Sequence, residues 1–163
     1  MRVAIAADHR GVDLLKHLSL MLEGEGCTVL EMQKACGATC DYPDMAYPVA
    51  KAVATGDADR GLLVCGSGIG MSIAANKVRG VRAALVHDEI GAAVSRRHND
   101  ANVLCLAADL LGMRVIERIV HTWLTTEFEG GRHARRVQKI AAIENGQSPQ
   151  DADVDQTSLA ETE

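Results

Sequence analysis

The run Cys65-Gly66-Ser67-Gly68-Ile69-Gly70 puts a thiol, a hydroxyl and three glycines within six residues. It follows Gly61-Leu62-Leu63-Val64, a continuous apolar stretch that reads as a strand buried on both faces. A helical pattern comes after it. Cys65 is therefore expected at the carboxyl end of a central strand, where open α/β sheets bind ligands. A helix N-terminus and inward-turned N–H groups at such a place favour a thiolate. The plainer alternative is a small buried residue that closes a strand. The glycines would let the backbone approach a ligand and aim N–H groups at an anion, either a phosphate or an oxyanion formed during reaction. A tight strand-to-helix turn would use them as well. The run is not a P-loop, because no Gly-Lys-Ser/Thr completes it. It is not a dinucleotide fingerprint either, because Met71 stands where the third glycine would fall.

Two of the six histidines sit in polar runs at the ends of expected elements. They are His9, in Asp8-His9-Arg10, and His98, in Arg96-Arg97-His98-Asn99-Asp100. Histidine titrates near neutral pH, so both are candidates for proton transfer or anion binding. His17 and His121 fall inside helical patterns and read as surface or boundary residues. Arg132, His133, Arg135 and Arg136 crowd one turn after Gly130-Gly131. Arg132 and Arg136 are spaced i, i+4, so they share a helix face and could clamp one phosphate. A solvated basic face is the default reading. Cys36 and Cys40 lack two further ligands nearby, so no metal site is expected. Cys27 and Cys105 fall in strand patterns and read as core residues, and reduced thiols are the expectation throughout.

The elements that must position these residues alternate between short β-rich apolar runs and helical patterns, which implies a parallel α/β sheet. Strands are expected at 2–7, 27–32, 61–65, 81–86 and 103–107. Helices are expected at 12–23, 46–55, 71–76, 88–97, 112–126 and 132–144. The first helix aligns Leu14, Leu18, Met21 and Leu22, and the fifth aligns Ile116, Ile119, Val120 and Trp123. Residues 33–44 are expected to form a loop that holds Asp41-Tyr42-Pro43.

The chain has 163 residues, enough for one domain with a sizeable core. No apolar run approaches the ~20 residues of a membrane span. The N-terminus meets Asp8 and His9 too early for a secretion signal, so a cytoplasmic location is expected. Aromatic residues are 2% of the chain, too few for a platform that stacks single-stranded bases. The net charge of −5 argues against nucleic acid as partner. That charge is unevenly placed. Residues 146–163 carry five acids and no Lys or Arg, which leaves 17 bases against 17 acids in residues 1–145. One domain is expected over 1–145, followed by an acidic, disordered tail over 146–163.

Six short motifs occur together in one order: Asp8-His9, Asp41-Tyr42-Pro43, Cys65-Gly-Ser-Gly-Ile-Gly70, Ala74-Ala75-Asn76-Lys77, His98-Asn99-Asp100-Ala-Asn102 and Glu129-Gly-Gly-Arg-His133. This set resembles type B ribose-5-phosphate isomerases, of the ribose/galactose isomerase family. The resemblance covers about residues 1–145. It implies a three-layer α/β/α sandwich around a five-stranded, Rossmann-like parallel sheet. It also implies cofactor-free aldose–ketose isomerisation of a phosphorylated sugar, with ribose 5-phosphate and ribulose 5-phosphate first and galactose, allose or tetrulose phosphates as alternatives. The assembly implied is a homodimer or homotetramer in which each site borrows residues from a neighbouring subunit.

Residue by residue, the resemblance makes Cys65 the base that moves a proton through a cis-enediolate. The amides of Gly66, Gly68 and Gly70, with the Ser67 hydroxyl, would hold the enediolate oxygen. His98 would open the furanose ring. Asp8, Tyr42 and Asn99 would contact the sugar, and His9, Arg132 and Arg136 the phosphate. Members without the cysteine use a Glu at the place of Met71, so Cys65 fits the base role here. Many relatives carry a phosphate-binding Arg where this chain has Asp109; either Arg10 compensates, or Asp109 faces another hydroxyl and the substrate is not ribose 5-phosphate. A cysteine hydrolase built on Cys65 and His98 would gain nothing from the C-terminal arginines. A non-catalytic phosphate- or nucleotide-binding module would leave Cys65 and His98 idle.

Overall fold

The computed structural model describes residues 1–32 and 39–152. In chain order the elements are β1 (Arg2–Ala7), α1 (Val12–Gly24), β2 (Thr28–Glu31), α2 (Tyr42–Thr55), β3 (Arg60–Cys65), α3 (Ile69–Ala75), β4 (Ala83–Leu85), α4 (Glu89–Asn99), β5 (Val103–Ala107), α5 (Met113–Thr125) and α6 (Arg132–Glu144). The strands form one sheet in the order β2-β1-β3-β5-β4. Every pairing is parallel. β3 is central, and its residues from Gly61 to Cys65 are all buried, as a strand covered on both faces requires.

Alternate residues of the strands build two separate cores. Ile5, Leu62, Val64, Leu104 and Leu106 face one side, against Leu18 and Leu22 of α1 and Ile119 and Trp123 of α5. Ala4, Ala6, Leu63, Cys65 and Cys105 face the other, against Val49 and Ala50 of α2 and Met71 and Ala75 of α3. The second face uses smaller residues. A Cβ on Gly61 would stand 2.8 Å from Val49 Cγ1 and 3.0 Å from Val103 Cγ2, so α2 can sit there only over a glycine. The result is the three-layer α/β/α sandwich. The chain leaves β1 toward β2 on one side and leaves β3 toward β4, beyond β5, on the other. The crevice between the carboxyl ends of β1 and β3 is thus the switch point where such sheets take ligands.

Most elements match the sequence expectation to within one or two residues at each end, and three of the shifts have a plain description. α2 begins at Tyr42 rather than 46, because Pro43 occupies its first turn, where a missing N–H costs nothing. α3 begins at Ile69, directly after Gly68 at φ 73°, so the glycine run leads straight into the helix. β4 is reduced to Ala83–Leu85 at the sheet edge. Cys40 is disulfide-bonded, contrary to the expectation of reduced thiols. The expectations for Cys36, for residues 33–38 of the loop and for tail residues 153–163 lie outside the described residues. At the end of α6 the chain turns back, and Lys139 Nζ donates to the Pro149 carbonyl at 2.6 Å. No helix among the described residues is long and apolar enough to cross a membrane.

Candidate active site

The carboxyl ends of β1, β3 and β5 bring one group of the expected residues together. Cys65 ends β3 nearly buried, at 4% exposure. The Gly68 N–H donates to its sulfur at 3.0 Å. A donor there solvates negative charge on sulfur, which a thiolate base needs. It also commits the Gly68 amide to the thiol, so the amides left for a developing oxyanion are those of Gly66 and Gly70. Ser67 follows with a partly exposed side chain whose Oγ accepts from the Ile69 N–H at 3.3 Å. Gly70 is required by a close approach, because a Cβ there would lie 2.7 Å from the ring of Tyr42. Tyr42 thus covers the loop from the first turn of α2.

Asp8 follows β1 and is buried, and its Oδ1 accepts from the Arg10 N–H at 2.8 Å. His9 Nδ1 lies 3.4 Å from the Cys40 carbonyl oxygen, which ties the loop after β1 to the start of α2. Asp109 follows β5. Its N–H donates to the Gly66 carbonyl at 3.0 Å, and its carboxylate rests against the Gly66 Cα, 2.6 Å from where a Cβ would be. Met71 is fully buried in the α2/α3 core, so it has no part in the chemistry.

The other expected residues stand at the opposite end of the sheet. Cys65 is level with Ala107, whereas His98 and Asn99 end α4 just ahead of Val103, where β5 opens. The four steps from Val103 to Ala107 alone span about 13 Å. Within one chain His98 therefore does not reach the Cys65 sulfur. Its ring stacks on that of His133 with centroids 4.0 Å apart and planes 3° apart. Glu129 Oε2 is 3.7 Å from Nε2 of each histidine, and Glu129 Oε1 is 3.7 Å from Arg97 Nε. Arg132 and Arg136 flank His133 on α6 and bear on its charge. The Asn99 carbonyl accepts from Arg82 Nε at 3.0 Å.

His98, Glu129 and His133 place three possible metal-ligand atoms within 4.8 Å of one another. The parallel rings aim their lone pairs along parallel planes rather than at one point, so the cluster is not arranged as a metal centre without a ring rotation. His133 is buried, and neither ring nitrogen has a hydrogen-bond partner among the described residues. Desolvation pushes its pKa below the usual histidine value. His98, Arg132 and Arg136 push the same way, and Glu129 opposes them. The folded state therefore binds fewer protons here than the unfolded chain. Stability contributed by neutral His133 is present above about pH 6.5 and is lost as pH falls through the folded value. Thermal melts from about pH 7.5 to about pH 5.5 should show a shallower fall in Tm for His133→Asn than for the native chain. Parallel curves would show that His133 is not the titrating group.

The sequence puts His133 in a basic turn and Glu129 in the same short motif, but neither has an assigned role there. The i, i+4 spacing of Glu129 and His133 was the available signal. Two further motifs hold the backbone instead. Asn76 Oδ1 accepts from the Ala83 N–H and its Nδ2 donates to the Ala83 carbonyl, both at 2.9 Å, which staples α3 to β4. Asn102 does the same for the turn before β4, through the Arg82 N–H and the Gly80 carbonyl, both at 2.8 Å.

The chain is 41% identical over 143 residues to ribose-5-phosphate isomerase B of Escherichia coli, covering 88% of this chain and 96% of that one. It is 40% identical over 151 residues to D-erythrulose-4-phosphate isomerase of Pectobacterium atrosepticum, covering 92% and 99%. The structure of Clostridium thermocellum ribose-5-phosphate isomerase B superposes with a TM-score of 0.87 at 44% identity, covering 90% and 99%. The model of the ribose/galactose isomerase family matches residues 3–140, which take in all five strands except Arg2 and include Asp8, Cys65 and Asp109. A parallel sheet in this order, a thiol and glycine turn at its switch point and a match of this extent place the chain in the ribose/galactose isomerase family, as a sugar-phosphate isomerase.

Proposed function

We propose that the chain interconverts ribose 5-phosphate and ribulose 5-phosphate, without a cofactor, in a homodimer or a homotetramer of such dimers. In the open-chain aldose the Cys65 thiolate takes the C2 proton. The C2–H electron pair forms the C1–C2 double bond, and the aldehyde oxygen takes up the negative charge. The Gly66 and Gly70 amides and the Ser67 hydroxyl hold that oxygen, as developing oxyanions require. A proton passes from O2 to O1, and the Cys65 thiol returns its proton to C1, which gives the ketose. Asp8 and Tyr42 bound the sugar, and His9 takes part in holding the phosphate. The observation that carries this reading is the Cys65 sulfur, held by the Gly68 N–H at 3.0 Å at the head of the central strand.

His98, Asn99, Arg132 and Arg136 enter from a second copy of the chain. His98 opens the furanose by moving a proton between the ring oxygen and the anomeric hydroxyl. Asn99 contacts the sugar, and the two arginines bind the phosphate. Half- or more exposed isoleucines support such a partner: Ile69 and Ile73 on α3, and Ile143 on α6.

The second reading takes a tetrulose phosphate as substrate, because the erythrulose-4-phosphate relative is as similar as the ribose-5-phosphate one. In a tetrose 4-phosphate the phosphate occupies the oxygen that would close a furanose, so no ring needs opening and His98 has no task. Steady-state rates on pentose, tetrose and hexose phosphates separate the two. We expect kcat/KM for ribose 5-phosphate to exceed the others by at least about tenfold. A tenfold preference for erythrulose 4-phosphate would replace the first reading with the second.

A further inference from the structure

The pair Arg10–Asp109 stands at the mouth of the Cys65 crevice. Arg10 Nε donates to Asp109 Oδ2 at 3.1 Å, and Arg10 Nη2 donates to the same oxygen at 2.9 Å. Both ends of the pair are tied to the site. Arg10 is placed by its own N–H on the buried Asp8 carboxylate. Asp109 is placed by its N–H on the Gly66 carbonyl, one residue beyond Cys65. A guanidinium carries five N–H donors, and Asp109 takes two of them. No other side chain or carbonyl among the described residues takes the remaining three. A bare carboxylate against Gly66 would repel an anionic substrate. Paired with Arg10 it is neutralised, and it holds the rigid fork of the guanidinium in one place.

We infer that Arg10 is a phosphate-binding residue of this site and that Asp109 is its positioning residue, so that the phosphate is held on this side by an Arg–Asp pair within one chain. The inference rests on the proposed reading that a phosphorylated sugar is turned over at Cys65. It adds a residue pair that sets how this end of the substrate is gripped. Arg10 does not replace a missing cation from a distance, because it reaches across and bonds the acid itself. The phosphate lies remote from C1 and C2, so its contacts bind ground and transition state alike and act on KM more than on kcat.

The test is the Kd of inorganic phosphate on the full chain by calorimetry at low ionic strength, alongside KM and kcat with ribose 5-phosphate. Arg10→Ala should weaken phosphate binding and raise KM by roughly 10- to 100-fold, with kcat within about threefold, since it removes charge-assisted donors and uncovers Asp109. Arg10→Lys keeps the charge without the fork and should fall between the two. Asp109→Ala should cost about three- to fivefold in Kd through loss of positioning, whereas adding it to Arg10→Ala should cost nothing more and should relieve the part of the loss that the uncovered carboxylate causes. An unchanged phosphate Kd in Arg10→Ala, with Tm preserved, overturns the inference. Independent, additive losses for the two residues overturn the positioning role of Asp109. Direct phosphate binding does not depend on which sugar is isomerised. A wild type that binds phosphate through Arg10 but ignores ribose 5-phosphate would sink the substrate reading and leave this one standing.

Discussion

Cys65→Ala should lose about 10²- to 10⁴-fold in kcat for ribose 5-phosphate, the range that a positioned general base supplies. The variant keeps the fold. Cys65 is a small residue in the α2/α3 core, and its removal takes one atom from a site already packed by alanines. The expected destabilisation is about 1–2 kcal/mol, within what single core changes produce. Cys65→Ser is the sharper control. It keeps an oxygen within reach of the Gly68 N–H but offers a far weaker acid than a thiol, so the hydroxyl stays protonated and the rate stays low. A coupled assay of ribulose 5-phosphate formation, with circular dichroism to check the fold, decides the matter. Full activity in Cys65→Ala would remove the thiol from the mechanism and leave the glycine turn as a binding loop.

Sequence patterning was most legible where one physical cause acts alone. The short apolar run from Gly61 to Cys65, closed by glycines, reads as a strand covered on both faces, and it is one. The 3.6-residue periodicity of Ile116, Ile119, Val120 and Trp123 marks the buried side of α5, where all four lie in the core. Boundaries were less legible where local and tertiary effects compete. Pro43 reads as a break in isolation, yet it starts α2, because the first helical turn has no use for its missing N–H. Asp100 adopts φ 45° as the left-handed cap that ends α4, a place usually given to Gly or Asn. Its carboxylate answers Arg82 and Arg96, and only the folded chain brings Arg82 near.

The candidate site was legible as a set of residues and not as a place. Spacing and resemblance named Cys65 and His98 together, but no periodicity tells which end of a sheet a helix terminus reaches. α4 carries the chain from the carboxyl end of β4 back to the amino end of the parallel β5, so its last turn must lie at the amino edge while Cys65 lies at the carboxyl edge. The Arg10–Asp109 pair shows the reverse case. The resemblance links Arg10 to Asp109 only as a substitute cation, 99 positions away, and the sheet brings the two into one hydrogen-bonded pair.

The separation of Cys65 from His98 leads to the other large effect. His98→Asn should itself lose activity on cyclic ribose 5-phosphate, by up to about 10²-fold, because unassisted ring opening then feeds the thiol. If each site pairs the Cys65 of one chain with the His98 of another, the two defects complement. In a mixed dimer of Cys65→Ala and His98→Asn, one site carries both lesions and the other carries neither. Random assortment makes half of the dimers mixed, and half of their sites intact, so co-refolded chains should recover about a quarter of native specific activity. Each variant alone, or the two mixed without subunit exchange, should stay at its own low level. Were both groups to act within one chain, every site in the mixture would carry one lesion or the other, and no recovery would be seen. The two edges of the sheet exclude that geometry for a single copy, and the activity of the mixture tests whether a second copy closes the gap.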